Sequence, residues 1–216
     1  MEIFKENQEQ NMNKVNDQAV QVIKDIESTP KVKAEFPDEA KRRRDCTLSE
    51  DMIKALVNQL HKEESNHDLY ASFAAYFSKL GLQGLEKYFE SRAEEELLHH
   101  KWIKSYLKEC DAEYSYPKID AINIDIPDRK TPFIMTVDKE IETTMSIYTI
   151  ATLAYKEGDF TTIQWLYGND EERGRLIVEQ VEEENISRLY RDMVNLSDDW
   201  LTIQRNIVED YYSKRK

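Results

Sequence analysis

The stretch Ile53–Phe77, IKALVNQLHKEESNHDLYASFAAYF, decides the fold. Apolar residues recur at Ile53, Leu56, Leu60, Ala74 and Phe77, in the three-and-four rhythm of a helix that buries one face. The same line runs on without a break through Glu63, His67 and Tyr70. A carboxylate on a buried stripe must be paired, protonated or bound to a metal, because an isolated buried charge is very unfavourable.

Three more stretches repeat the anomaly. Leu82, Leu85, Phe89, Glu96, His99, Ile103 and Tyr106 form one stripe. Val137, Glu140, Thr144, Ile147, Ala151 and Ala154 form another. Leu176, Gln180, Glu183, Ile186, Tyr190 and Met193 form the third. The expectation is an all-α protein, a four-helix bundle with acidic and amide side chains turned inward. Helices are expected over about 48–79, 82–109, 132–157 and 161–196, with a short fifth helix over about 198–212 whose apolar face is Trp200, Ile203, Ile207 and Tyr211. Thr47-Leu48-Ser49-Glu50 reads as a capping box that opens the first helix at Thr47. Gly168-Asn169-Asp170 is a candidate break in the fourth.

The first two helices are joined by a tight link at Gly81. The second and third are separated by about Asp111 to Pro132, where Pro117, Pro127 and Pro132 block helix and Ala121–Ile126 alternates like a strand. A link of that length can carry the chain back along the bundle, one long crossover between the second and third helices. Residues 1–46 read differently. Val15, Ala19, Val22, Ile23 and Ile26 mark a short amphipathic helix, followed by Pro30, Pro37 and the basic run Lys41–Arg44. This part reads as an N-terminal arm, with residues 47–216 as the bundle domain.

Composition limits the function. The chain has 216 residues, 34% of them charged, and a net charge of −13. That charge argues against nucleic acid or an anionic membrane as partner, and suits an attraction for cations. Cys46 and Cys110 make neither a disulfide framework nor a thiolate metal motif. No apolar run approaches a membrane span and the N-terminus has no apolar leader, so a cytoplasmic setting is expected.

Glu96-Leu97-Leu98-His99 places a carboxylate and an imidazole three residues apart on one helical face, able to hold one ion together. Acidic runs such as Glu94–Glu96 and Glu182–Glu184 are ordinarily solvated faces. Here the coincidence in phase across four helices points instead to a metal site. Carboxylates with an imidazole and no thiolate suit iron or manganese.

The set of residues resembles the bacterial non-haem ferritins, which are ferritin-like di-iron carboxylate proteins. The motifs are Glu63 with Tyr70 seven residues later, Glu95-Glu96-Leu97-Leu98-His99, Glu140, and Glu179-Gln180-Val181-Glu182-Glu183. The resemblance covers about residues 50–212. It implies that Glu63, Glu96 and His99 ligate a first iron, with Glu96 bridging to a second held by Glu140 and Glu183. Gln180 would orient oxygen or a water, and Tyr70 would be a redox tyrosine beside the centre. Glu95, Glu179 and Glu182 match the acidic residues of a third, weaker iron site. The implied function is iron storage and detoxification, by ferroxidase oxidation of Fe(II) with dioxygen or peroxide and deposition of mineral inside a homo-oligomeric shell of 24 subunits.

Three features depart from the pattern. Residues 1–46 have no counterpart in ordinary ferritins. The fourth helix is longer around Gly168–Ile177, which leaves Asp170, Glu171 and Glu172 as alternative ligands. There is no second ExxH, because Glu183 stands in place of histidine, and Leu97 rather than methionine follows Glu96. The first argues against the bacterioferritin and rubrerythrin branches, and the second against bacterioferritin-type haem. Two other classes of function remain compatible with the residues: a structural or interaction bundle with a degenerate site, and a small-oligomer di-iron or di-manganese oxidoreductase. Native mass and metal content separate the three.

Overall fold

The computed structural model describes residues 46–116, 118, 124–168 and 176–213. Among these residues six helices follow in order: α1 (Glu50–Lys79), α2 (Gln83–Glu109), α3 (Thr131–Glu157), α4 (Phe160–Tyr167), α5 (Leu176–Leu196) and α6 (Trp200–Ser213). The amphipathic helix expected at Val15–Ile26 lies outside the described residues. So do the first three residues of the alternating segment Ala121–Ile126, whose remainder, Ile124–Ile126, forms no strand.

The start of α1 differs from the expected capping box. Ser49, not Thr47, is the N-cap, and its hydroxyl accepts from Met52 N at 3.0 Å. The residue between them, Leu48, is buried in the core, so the chain enters extended and turns helical only afterwards. Glu50 and Asp51 in the first turn complement the helix dipole. Ser49 Oγ also donates to Glu157 at 2.7 Å, tying the start of α1 to the end of α3. The expected fourth helix is two helices. It begins as α4, capped by Asp159, and ends at Gly168, whose φ of 60° and ψ of 156° cannot continue a helix. The chain resumes as α5 at Leu176.

Two apolar clusters fix the directions of the helices. One gathers Leu69–Phe77 of α1, Leu85–Ala93 of α2, Phe133, Tyr190, Val194 and the α6 residues Ile203, Ile207 and Tyr211. The other gathers Met52–Leu60 of α1, Trp102–Leu107 of α2, Ile147–Ala154 of α3, Leu166 and Leu176. Helices α2 and α3 pass from the first cluster to the second; α1 and α5 pass from the second to the first. Consecutive parallel helices need a connection as long as the bundle. Helix α2 is roughly 40 Å long at 1.5 Å per residue, and segment 110–130 provides that reach. Helix α6 closes one end against α2. Gly84 makes the approach possible: a Cβ there would lie 3.1 Å from both Gln204 Oε1 and Val208 Cγ2.

Between the two apolar clusters lies a buried polar layer. Gln59, Glu63, Asn66, Arg92, Glu96, His99, Glu140, Thr143, Gln180 and Glu183 are all nearly inaccessible. The inner lines are turned slightly from those expected. Asn66 rather than His67 faces inward on α1, and Thr143 and Ile150 replace Thr144 and Ala151 on α3.

Candidate metal centre

Each of the four long helices delivers its polar side chains to this layer from the middle of its buried stripe, with apolar turns above and below. Two triads of metal-ligating side chains result. Glu63, Glu96 and His99 form one; Glu96, Glu140 and Glu183 form the other; within each, one ligand atom per residue lies within 4.8 Å of the rest. Glu96 belongs to both triads. Three of their carboxylate oxygens, Glu63 Oε2, Glu96 Oε1 and Glu183 Oε2, are buried and accept no hydrogen bond. Unsatisfied buried acceptors are rare in folded proteins, and here they converge on a common centre.

Neighbours fix the orientation of each group. Gln59 Nε2 donates to Glu63 Oε1 at 2.6 Å, leaving Oε2 to face His99 Nδ1 at 3.6 Å. The other imidazole nitrogen, Nε2, lies 3.0 Å from Glu179 Oε2. A ring nitrogen aimed inward while the other is held by a carboxylate is the usual arrangement of a metal-binding histidine. Asn66 Nδ2 links Thr143 Oγ1 at 3.2 Å and Glu96 Oε2 at 3.4 Å. Glu140 is held from three sides, by Tyr70 OH at 2.5 Å, Arg92 Nη2 at 2.6 Å and Gln180 Nε2 at 2.8 Å. Gln180 and Tyr70 therefore act on Glu140 as positioning residues.

The remaining expected residues do not converge. Glu95 accepts from Arg92 and from Tyr211 OH of α6, Glu179 serves His99, and Glu182 lies on the exposed side of α5. No third triad among the described residues contains them. Asp170, Glu171 and Glu172 lie outside the described residues. His67 is turned away from the centre, with Nδ1 3.0 Å from Ala93 O.

Electrostatics divides the carboxyls. Burial pushes Glu96 well above the ordinary carboxylate range, and the charges of Glu63 and Glu140 push it further. Burial also raises Glu140, against the opposing pull of Arg92. Burial acts the same way on Glu63, but the close approach and charge of His99 outweigh it and hold that group low. Glu183 is likewise held low, by Arg92 and His99 against burial. His99 is raised despite burial, chiefly by the charge of Glu183 and then by Glu179 and Glu63. Burial, then the Glu140 charge, keeps the Tyr70 phenol protonated. In the metal-free layer the anionic forms of Glu63 and Glu183 are favoured beside His99 and Arg92, and the protonated form of Glu96 is favoured by its burial among carboxylates.

Sequence reasoning missed four members of the layer: Gln59, Asn66, Arg92 and Thr143. Arg92 was the most legible. It occupies the step between Phe89 and Glu96 on the α2 stripe, three residues after one and four before the other. A long cationic side chain is usually assigned to solvent, and that habit hides it.

Comparison with known proteins agrees with this geometry. Residues 53–188 match the family model for ferritin, described as a ferritin-like domain, and every residue of both triads falls inside that span. The bacterial non-heme ferritin of Staphylococcus aureus strain USA300 is 28% identical over 139 residues, covering 64% of this chain and 80% of that protein. That of Staphylococcus haemolyticus is 27% identical over 157 residues, covering 72% and 90%. Among solved structures, the open-pore ferritin of the hyperthermophilic archaeon Archaeoglobus fulgidus superposes with a TM-score of 0.68 at 24% identity, covering 75% of this chain and 98% of that one. An engineered closed form of the same ferritin gives the same score. The archaeal likeness concerns the fold alone; the family match over the whole ligand-bearing span shows that this chain belongs to the ferritin family.

Proposed function

We propose that the protein oxidises and stores iron. The observation that carries this reading is Glu96, a buried carboxyl shared by two triads of metal-ligating groups in the water-poor middle of the bundle. A shared carboxylate with terminal carboxylates and one imidazole on either side is the donor set for two hard cations at bridging distance. Fe(II) enters as substrate. Glu63 and His99 Nδ1 receive one ion, Glu140 and Glu183 the other, and Glu96 spans them. Two Fe(II) ions each give one electron to dioxygen, which leaves as hydrogen peroxide; hydrolysis of the ferric ions to oxyhydroxide releases protons.

This chain's residues support each part of that work. Gln59, Asn66, Gln180 and Glu179 hold the ligands in place before an ion arrives. The net charge of −13 attracts cations toward the protein. Storage requires an enclosed cavity, and the proposed one is a cytoplasmic shell of 24 subunits. Among the described residues, no helix is long and apolar enough to cross a membrane. Size-exclusion chromatography after aerobic Fe(II) loading tests the reading. Iron in large excess over subunits, co-eluting with a species far larger than the 25.6 kDa chain, is expected. A small oligomer without retained iron would overturn storage.

A further inference from the structure

One of the two triads already contains a cation, and it belongs to the protein. Arg92 is buried, with a side chain only 2% exposed. Its Nη2 donates to Glu140 Oε1 at 2.6 Å and lies 3.7 Å from Glu96 Oε1. Its Nη1 lies 2.9 Å from Glu183 Oε1 and 2.8 Å from Glu95 Oε2. Arg92 therefore reaches all three members of the Glu96–Glu140–Glu183 triad. Of the Glu63–Glu96–His99 triad it reaches only Glu96. The two halves of the centre are unequal in this respect.

A guanidinium cannot lose its charge in a protein, so it cannot make way for a metal ion by deprotonating. A divalent ion on Glu140 and Glu183 would compete with Arg92 for Glu140 Oε1 and Glu183 Oε1, and would meet a like charge a few ångströms away. It can bind only if the side chain moves. The side chain is not fully tied: Arg92 Nε has no hydrogen-bond partner, and Glu95, at the more accessible edge of the layer, already pairs with Nη1.

Resting on the metal-centre reading above, we propose that Arg92 is the resident cation of the Glu96–Glu140–Glu183 half. The resting protein then holds one divalent ion per subunit, at Glu63, Glu96 and His99. A second enters only by displacing the guanidinium. Arg92 thus sets the stoichiometry and separates the two affinities.

Anaerobic titration of the full-length protein with Mn(II), read by calorimetry and electron paramagnetic resonance, tests this. Wild type is expected to take up one ion tightly and a second at least about tenfold more weakly, with no exchange-coupled pair at one equivalent. Arg92→Gln is expected to take up two ions of similar affinity and to show the coupled signal. Arg92→Lys, which keeps the charge, should stop at one tight ion. Two equally tight ions in wild type would overturn the proposal, and that measurement needs no variant to fold. So would a folded Arg92→Gln protein that still binds only one. If wild type and Glu63→Ala both bind none, the metal-centre reading itself fails, which is a different result from either of these.

Discussion

Glu96 concentrates the chemistry of the centre in one side chain. Burial and its carboxylate neighbours on three helices favour its protonated form without metal, and a metal ion competes with that proton. His99 behaves alike, since its cationic form is favoured by Glu183, Glu179 and Glu63. Groups raised in the folded state stabilise fully below their unfolded values and lose that contribution as pH rises through the folded ones. Glu63 and Glu183 are shifted down, so their contribution is lost only in acid, below the ordinary carboxylate range. Between about pH 5.5 and 8 the raised groups of the layer lose their contribution, while His100, held low by burial, acts in the opposite direction. The thermal midpoint of the metal-free protein is therefore expected to fall across that interval, and Glu96→Gln should flatten the fall. A rising midpoint, read by circular dichroism, would contradict the charge assignment. A second residue-level expectation concerns Tyr70. Tyr70→Phe removes the phenol donor from Glu140 while Arg92 and Gln180 remain, so a loss of about 1 kcal/mol is expected in denaturant unfolding, with the helix content unchanged.

Helices carry these residues to the centre by register, and register is what the sequence shows best. The three-and-four rhythm through Glu63, Tyr70, Glu96, His99, Glu140, Gln180 and Glu183 survives folding, because a buried stripe on a bundle helix has only one way to face inward. What escapes is of two kinds. Polar residues that serve the ligands, such as Asn66 and Arg92, look like surface residues until their neighbours on other helices are known. Local chain reversals depend on backbone angles that composition hints at without fixing, as at Gly168, where one expected helix becomes α4 and α5. The first cap illustrates the same point: Thr47 and Ser49 both suit the role, and burial of Leu48 selects Ser49. At this scale, Gly84→Leu is expected to push α6 off α2, because even a Cβ crowds Gln204 and Val208. Overpacking of this kind costs about 1–3 kcal/mol. The loss should appear as a lower thermal midpoint, while Mn(II) uptake persists, since α6 contributes no member of either triad.

At the scale of the molecule, the bundle is two apolar blocks that clamp a polar layer. The blocks supply the hydrophobic stabilisation; the layer, left without metal, opposes it with unsatisfied oxygens and crowded carboxyls. Function and stability are thus set against each other in the same cross-section, and a bound ion reconciles them. The exterior shows Tyr155, Phe160, Leu196 and Leu201 largely exposed on the single chain, apolar surface of the sort that subunit contacts cover. A native mass near 24 times the chain is the expectation for the proposed shell, and a monomer would contradict it.

Catalysis of Fe(II) oxidation by dioxygen in the buried layer is tested most directly by one comparison. Wild-type apoprotein and the Glu96→Ala/His99→Ala double variant are mixed with Fe(II) in air, and ferric absorbance is followed from the first second. Rapid oxidation in the wild type, reduced in the double variant to the rate of Fe(II) in buffer alone, is the predicted result. Equally rapid oxidation by a correctly folded double variant would contradict it.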